Sequence, residues 1–259
     1  MSKIKQAFTS GKAFISFLTA GDPGADQTVE YILEMAAAGA DLIEIGIPFS
    51  DPTAEGVVIQ DANIRALAAG MTTDGVFDIV RRVREKSDIP LAFMTYLNPV
   101  FHYGYERFFE KCKQLEVDGI IIPDLPYEEK NELADIAAKY DVEAISMIAP
   151  TSRQRIQTIA RDAKGFIYVV SSMGVTGVRS AITTDLSSIV RTIREVTDTP
   201  VAIGFGISRP EQARQMAAIA DGAIVGSAIV KMIEEHKEAA GPVLGTYVAE
   251  MKRAVESAG

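Results

Sequence analysis

The chain has 259 residues, 47% of them hydrophobic, a formal charge of -9, one cysteine and two histidines. The acidic balance excludes broad binding to nucleic acid or to an acidic membrane surface. A lone Cys112 excludes an internal disulfide and a cysteine-built metal cage, and His102 with His236 are too few for a histidine triad or a zinc site.

No apolar run reaches membrane-spanning length, and the start at Met1 lacks the apolar core of a signal peptide, so a cytoplasmic chain is expected. Ser2 to Ser10 reads as a short helix with Ile4 and Phe8 on one side and Gly11 as its stop, placed to plug a barrel end. Ala13 to Thr19 is an apolar strand. After the loop Ala20 to Gly24, Asp26 is expected to cap a helix whose stripe is Val29, Ile32, Leu33 and Ala36 and which Gly39 ends.

The strand Leu42 to Ile47 follows, then a helix from about Val58 carrying Ile64 and Leu67. A second helix, capped by Thr73, carries Val76, Ile79, Val80 and Val83. Further strands are expected at Leu91 to Tyr96, Gly119 to Ile122, Ala144 to Ile148, Phe166 to Val170, Val201 to Phe205 and Gly222 to Val225. Helical stripes separate them, and a last one runs from Val243 to Val255. Strands alternating with helices in this number predict one domain over 1–259: a (β/α)8 TIM barrel with a short N-terminal helix and a short extra helix after strand 8. The segment Val83 to Pro90 enters its strand much as Ile193 to Pro200 enters a later one, as a barrel of two similar halves would leave.

One residue breaks the apolar pattern. In Leu42 to Ile47 the side chains alternate, so Ile43, Ile45 and Ile47 share one face and Leu42, Glu44 and Gly46 the other, and both faces read as buried. Glu44 therefore points into the barrel, where desolvation raises a carboxyl pKa and suits it to general acid or base work; a structural ion pair is the competing reading.

Strands six, seven and eight each end in a glycine-containing turn: Gly174 to Gly177, Gly204 to Ser208, and Gly226-Ser227. Glycines let backbone N–H groups approach an anion, and the extra helix Ala228 to Glu235 aims its positive end at the same face, so a phosphate site is expected there. Ser171 to Thr184, with Arg179, reads either as a lid over that site or as an ordinary loop.

Seven motifs then carry a resemblance: FLTAGDP (Phe17 to Pro23), EIGIPFSDP (Glu44 to Pro52), MTYLNP (Met94 to Pro99), IPDLP (Ile122 to Pro126), GVTG (Gly174 to Gly177), GFGIS (Gly204 to Ser208) and VGSAIVK (Val225 to Lys231). In this order, along essentially the whole length, the chain resembles the α subunit family of tryptophan synthase. The resemblance implies retro-aldol cleavage of indole-3-glycerol phosphate to indole and glyceraldehyde 3-phosphate. It implies no cofactor on this chain, pyridoxal phosphate being expected only on a β subunit that joins it in an αββα assembly.

It further implies Glu44 and Glu55 as the catalytic carboxylates. Phe17, Met94, Tyr96, Ile121, Tyr168 and Thr176 would surround the substrate, and Gly177, Gly206, Gly226 and Ser227 would hold its phosphate. The docking face would include the Asp51 loop, Asn98 to Tyr103 and Asp124 to Tyr127. Two residues depart from the family pattern: Glu55 stands where Asp is usual, and Val57 where Pro is usual. A carboxylate one methylene longer sits differently unless its loop adjusts, which motivates a catalytically weak regulatory partner of β as one alternative; a free-standing lyase of the same fold is the other.

Overall fold

In the computed structural model, residues 3–170, 185–204 and 206–259 are described. The strands are β1 (Ala13–Thr19), β2 (Leu42–Gly46), β3 (Leu91–Met94), β4 (Gly119–Ile121), β5 (Glu143–Ala144), β6 (Ser146–Ile148), β7 (Ile167–Val170), β8 (Val201–Gly204) and β9 (Gly222–Val225). Every pairing is parallel, in the order β5-β4-β3-β2-β1-β9-β8-β7-β6. The two strands at the ends of that order are consecutive in the chain and separated only by Ile145, so the sheet closes into a barrel. The predicted strand Ala144 to Ile148 is thus one barrel position whose chain turns from its β4 neighbour to its β7 neighbour, Ile145 N–H still donating to Ile120 at 2.9 Å.

The first six helices are α1 (Lys3–Gln6), α2 (Ala25–Ala37), α3 (Val57–Ala68), α4 (Thr73–Arg84), α5 (Leu97–Tyr103) and α6 (Tyr105–Gln114). They are followed by α7 (Asn131–Lys139), α8 (Arg153–Asp162), α9 (Leu186–Arg194), α10 (Pro210–Ile219), α11 (Ser227–His236) and α12 (Ala240–Glu256). Among the described residues no helix is long and apolar enough to cross a membrane.

Strand alternation divides the core in two. Ile15, Leu42, Ala92, Ile121, Phe166, Tyr168, Ala202 and Ile224 pack inside the barrel, whereas Phe14, Leu18, Ile43, Ile45, Phe93, Val169 and Ile203 pack outward against the helices. Ile4 of α1 is fully buried in the inner cluster and the Phe8 ring lies 5.7 Å from that of Phe166, so the N-terminal segment plugs the barrel as predicted.

The echo between the two halves has a structural counterpart. Arg84 reaches Asp118 Oδ2 at 3.2 Å, and that oxygen accepts from Leu91 N–H at 2.9 Å; Arg194 bonds Asp221 Oδ2, which accepts from Val201 N–H at 2.8 Å. In both places a carboxylate just before one strand ties down the N–H that opens its neighbour.

Some local expectations shift. Thr72, not Thr73, caps α4, its hydroxyl accepting from Gly75 N–H at 3.1 Å. The cap of α2 is Gly24 without a side-chain bond, and Asp26 instead pairs with Arg82. Ile64 and Leu67 do not face the core: they are 62% and 36% exposed, while α3 buries Ile59, Ala62, Asn63 and Ala66. Cys112 is buried and both histidines are exposed.

Candidate active site

Glu44 sits in β2 in register with Phe17 of β1 and Ala92 of β3, and parallel register partners point to the same side of the sheet. It is wholly buried, and among the described residues neither carboxylate oxygen has a hydrogen-bond partner. An unpartnered carboxylate in that position is costly to ionise, and desolvation pushes its pKa up to about 8. At neutral pH it holds a proton.

Two aromatic rings lie close to glycine backbone around it. A Cβ on Gly46 would come within 2.8 Å of the Phe17 ring, and one on Gly204 would collide with the Tyr168 ring and hydroxyl. Burial, and secondarily the charge of Glu44, raise the Tyr168 hydroxyl well above its ordinary pKa, so it stays a neutral phenol.

Glu55 comes from the loop that leads into α3, and four groups fix that loop. Tyr96 Oη accepts from Ala54 N–H at 3.0 Å; Gln60 Nε2 donates to the Glu55 carbonyl at 2.7 Å; Asn63 Nδ2 donates to Glu55 Oε2 at 2.7 Å. Gly56 caps the helix without a side chain. Glu55 is only 8% exposed, and desolvation lifts its pKa to about 7 against the opposing pull of the Asn63 bond.

Glu44 and Glu55 line one cavity, together with Phe17, Met94, Tyr168, Gly206, Gly226 and Ser227. These eight are predicted site residues. Gly206 has the left-handed φ of +78°, and Gly226 caps the ten-residue helix α11, whose first residue is Ser227. The first N–H groups of a helix lack partners within it and favour an anion there. Tyr96 and Ile121 stand behind the wall instead: Tyr96 is buried with its hydroxyl on Ala54, and Ile121 pairs with Met94 in the β3–β4 register inside the barrel. Thr176 and Gly177 lie outside the described residues.

The cavity also has walls that sequence reasoning missed: Ile59, Pro123, Met147, Ile207 and Ile224. Met147 was within reach, since alternation in Ala144 to Ile148 sets it opposite to Ile148, which packs outward. Asn63 was also within reach, as the one polar member of a buried helical stripe. The result is a mostly apolar cavity lined by two carboxyls of raised pKa and by the residues at the head of α11. A family model, that of the tryptophan synthase alpha chain, matches residues 2–257.

The chain belongs to the tryptophan synthase alpha chain family. It is 51% identical to the tryptophan synthase alpha chain of Lactiplantibacillus plantarum over 257 residues, 99% of this chain and 97% of that one. The crystal structure of tryptophan synthase subunit alpha from Legionella pneumophila is similar over 99% of both chains, with TM-score 0.88 and 33% identity. The tryptophan synthase a2b2 complex from Pyrococcus furiosus contains a chain similar over 93% of this one and 98% of its own length, with TM-score 0.85 and 34% identity. Tryptophan synthase alpha chains are lyases of tryptophan biosynthesis that cleave indole-3-glycerol phosphate, and the chain is an enzyme of this kind.

Proposed function

We propose that Glu44 is the proton shuttle of indole-3-glycerol phosphate cleavage in this chain and that Glu55 receives the indole N–H. The observation that carries this is that both carboxyls line one cavity whose lining also includes Gly226 and Ser227 at the head of α11. Phe17, Met94 and Tyr168 supply apolar surface for the ring, while Gly206, Gly226 and Ser227 offer N–H and hydroxyl donors to the phosphate. Thr176 and Gly177 enter this reading only through the family resemblance. Tyr96 and Ile121 act from behind, by shaping the loop and the floor.

Glu44, protonated at neutral pH, donates to C3 of the indole while Glu55 takes the proton from the ring nitrogen, giving the indolenine. The Glu44 carboxylate then removes the proton of the hydroxyl on the adjoining glycerol carbon. The carbon–carbon bond breaks, its electron pair returns through the ring to nitrogen, and nitrogen recovers its proton from Glu55. Indole and glyceraldehyde 3-phosphate leave, with Glu44 again protonated and Glu55 again ionised. The ring nitrogen is the electron sink, so the step balances without a cofactor on this chain.

The extra methylene of Glu55 is accommodated by the Gln60 and Asn63 bonds, and Val57, 69% exposed at the head of α3, makes no demand on the loop. The partner is a pyridoxal-phosphate β subunit, met in the cytoplasm, and the a2b2 complex of the Pyrococcus furiosus relative supports such an assembly. Leu97 N–H, at the residue before Asn98, donates to Asp124 at 3.0 Å and so links two of the predicted docking segments, and Phe101, within Asn98 to Tyr103, is 66% exposed.

Glyceraldehyde 3-phosphate release from indole-3-glycerol phosphate, by the purified chain alone and with a β subunit of the same source, tests this. Slow release that β accelerates is expected. No release in either case would overturn the reading, and fast release indifferent to β would remove the partner from it.

A further inference from the structure

The buried face of α3 reads Ile59, Ala62, Asn63 and Ala66, a helical stripe with one amide in it. Asn63 is 3% exposed, and a buried amide is retained where it has a partner. Its partner is the carboxylate of Glu55, eight residues earlier, at 2.7 Å. Gln60, on the preceding turn, holds the carbonyl of the same residue. One stretch of helix therefore grips Glu55 at both its backbone and its side-chain end.

We propose that Asn63 is a positioning residue for the cleavage reaction: its amide, bonded to Oε2, fixes the direction of the Glu55 carboxylate and favours its charged form, and leaves Oε1 to meet the ring nitrogen of the substrate. This rests on the reading that Glu55 receives the indole N–H. An N–H donor favours the charged form of a carboxyl, and it does so here against desolvation. A glutamate carries one more free torsion than an aspartate, so in this chain aim depends on a tether that a shorter side chain does without. The other titratable groups toward Glu55 are Tyr96, whose hydroxyl feels the Glu55 charge, and Glu44 and Tyr168 in the same cavity wall.

The test is steady-state cleavage across pH by Asn63→Leu and Asn63→Asp, each in the natural and the Glu55→Gln background. Asn63→Leu is expected to lower kcat about tenfold or more, to leave KM within about threefold, and to move the acid limb of the pH–rate profile upward by about one pH unit. In the Glu55→Gln background it should cost little further. Asn63→Asp keeps the shape, replaces the fixed N–H donor by a second carboxyl and adds like charge, so it is expected to lose at least as much kcat and to move the acid limb further upward even if the leucine variant folds poorly. A folded variant with natural kcat and an unmoved limb would overturn the proposal. So would a loss of the same size in the Glu55→Gln background, since that is what a purely structural role gives. Natural activity in Glu55→Gln alone would instead show that the reading of Glu55 itself had failed.

Discussion

Arg65 of α3 grips Asp22, beyond the end of β1, with two parallel hydrogen bonds, Nε to Oδ1 at 2.9 Å and Nη2 to Oδ2 at 2.8 Å. Its remaining Nη1 reaches Glu234 of α11 at 2.9 Å. One guanidinium thus joins the first loop, the helix behind Glu55 and the helix whose N-terminus faces the cavity. Asp22 is buried whereas Arg65 is partly exposed, so removing the arginine strands a carboxylate away from water. Arg65→Met is expected to cost about 2 kcal/mol, less than a fully buried pair would, because the arginine is solvated. Urea unfolding checks this, and Asp22→Asn combined with Arg65→Met should cost less than the sum of the two.

Stability should fall as pH rises. Glu44 has a folded pKa near 8 and Glu55 near 7, both above the ordinary 4.5, so across that window the native chain binds more protons than the unfolded one. Unfolding free energy then declines with pH, by at most about 1.4 kcal/mol per pH unit for each group, from its ordinary pKa to its folded one. Glu44→Gln removes one of the two contributions. Its urea midpoint is expected to exceed that of the natural chain increasingly from pH 5 to pH 8.

The pH–rate profile should be a narrow bell. Glu55 must be ionised and Glu44 protonated at the start of the cycle, so kcat/KM rises as pH passes about 7 and falls as it passes about 8. These limbs belong to two carboxyls facing one cavity and are read as properties of the pair. Measuring kcat/KM from pH 5.5 to 9.5 checks this, and a kcat/KM that keeps climbing with pH would contradict a proton donor at Glu44.

Gly204 should not tolerate a side chain. A Cβ there meets Cε1 and Cζ of Tyr168 at 2.7 Å, inside any real contact, so the ring must move. Overpacking of this kind costs about 1–3 kcal/mol, and here it also displaces a wall of the cavity. Gly204→Ala is expected to lower both the urea midpoint and kcat.

The barrel was legible because its strands are apolar on both faces, and Glu44 was legible because it interrupts that pattern in Leu42–Gly46. The break at Ile145 was not, since Ala144 to Ile148 reads as one run and only the neighbouring strands decide where pairing changes sides. Ile64 and Leu67 misled because apolar spacing alone does not say which face of α3 meets the barrel; the stripe containing Asn63 does. Six of the eight residues gathered at the cavity stand in the motifs, where the barrel brings distant segments together, while Glu55 and Tyr168 lie outside them. Tyr96, inside one motif, and Ile121, just before another, stand one layer back, a distinction that depends on packing and not on sequence.

The most direct measurement is glyceraldehyde 3-phosphate release by Glu44→Gln beside the natural chain, with glycerol 3-phosphate binding followed in both. Glutamine keeps the shape and cannot carry the proton. The expected result is loss of cleavage by about a thousandfold or more with phosphate binding and fold retained. Cleavage at the natural rate by Glu44→Gln would contradict the assignment of Glu44 as the proton shuttle.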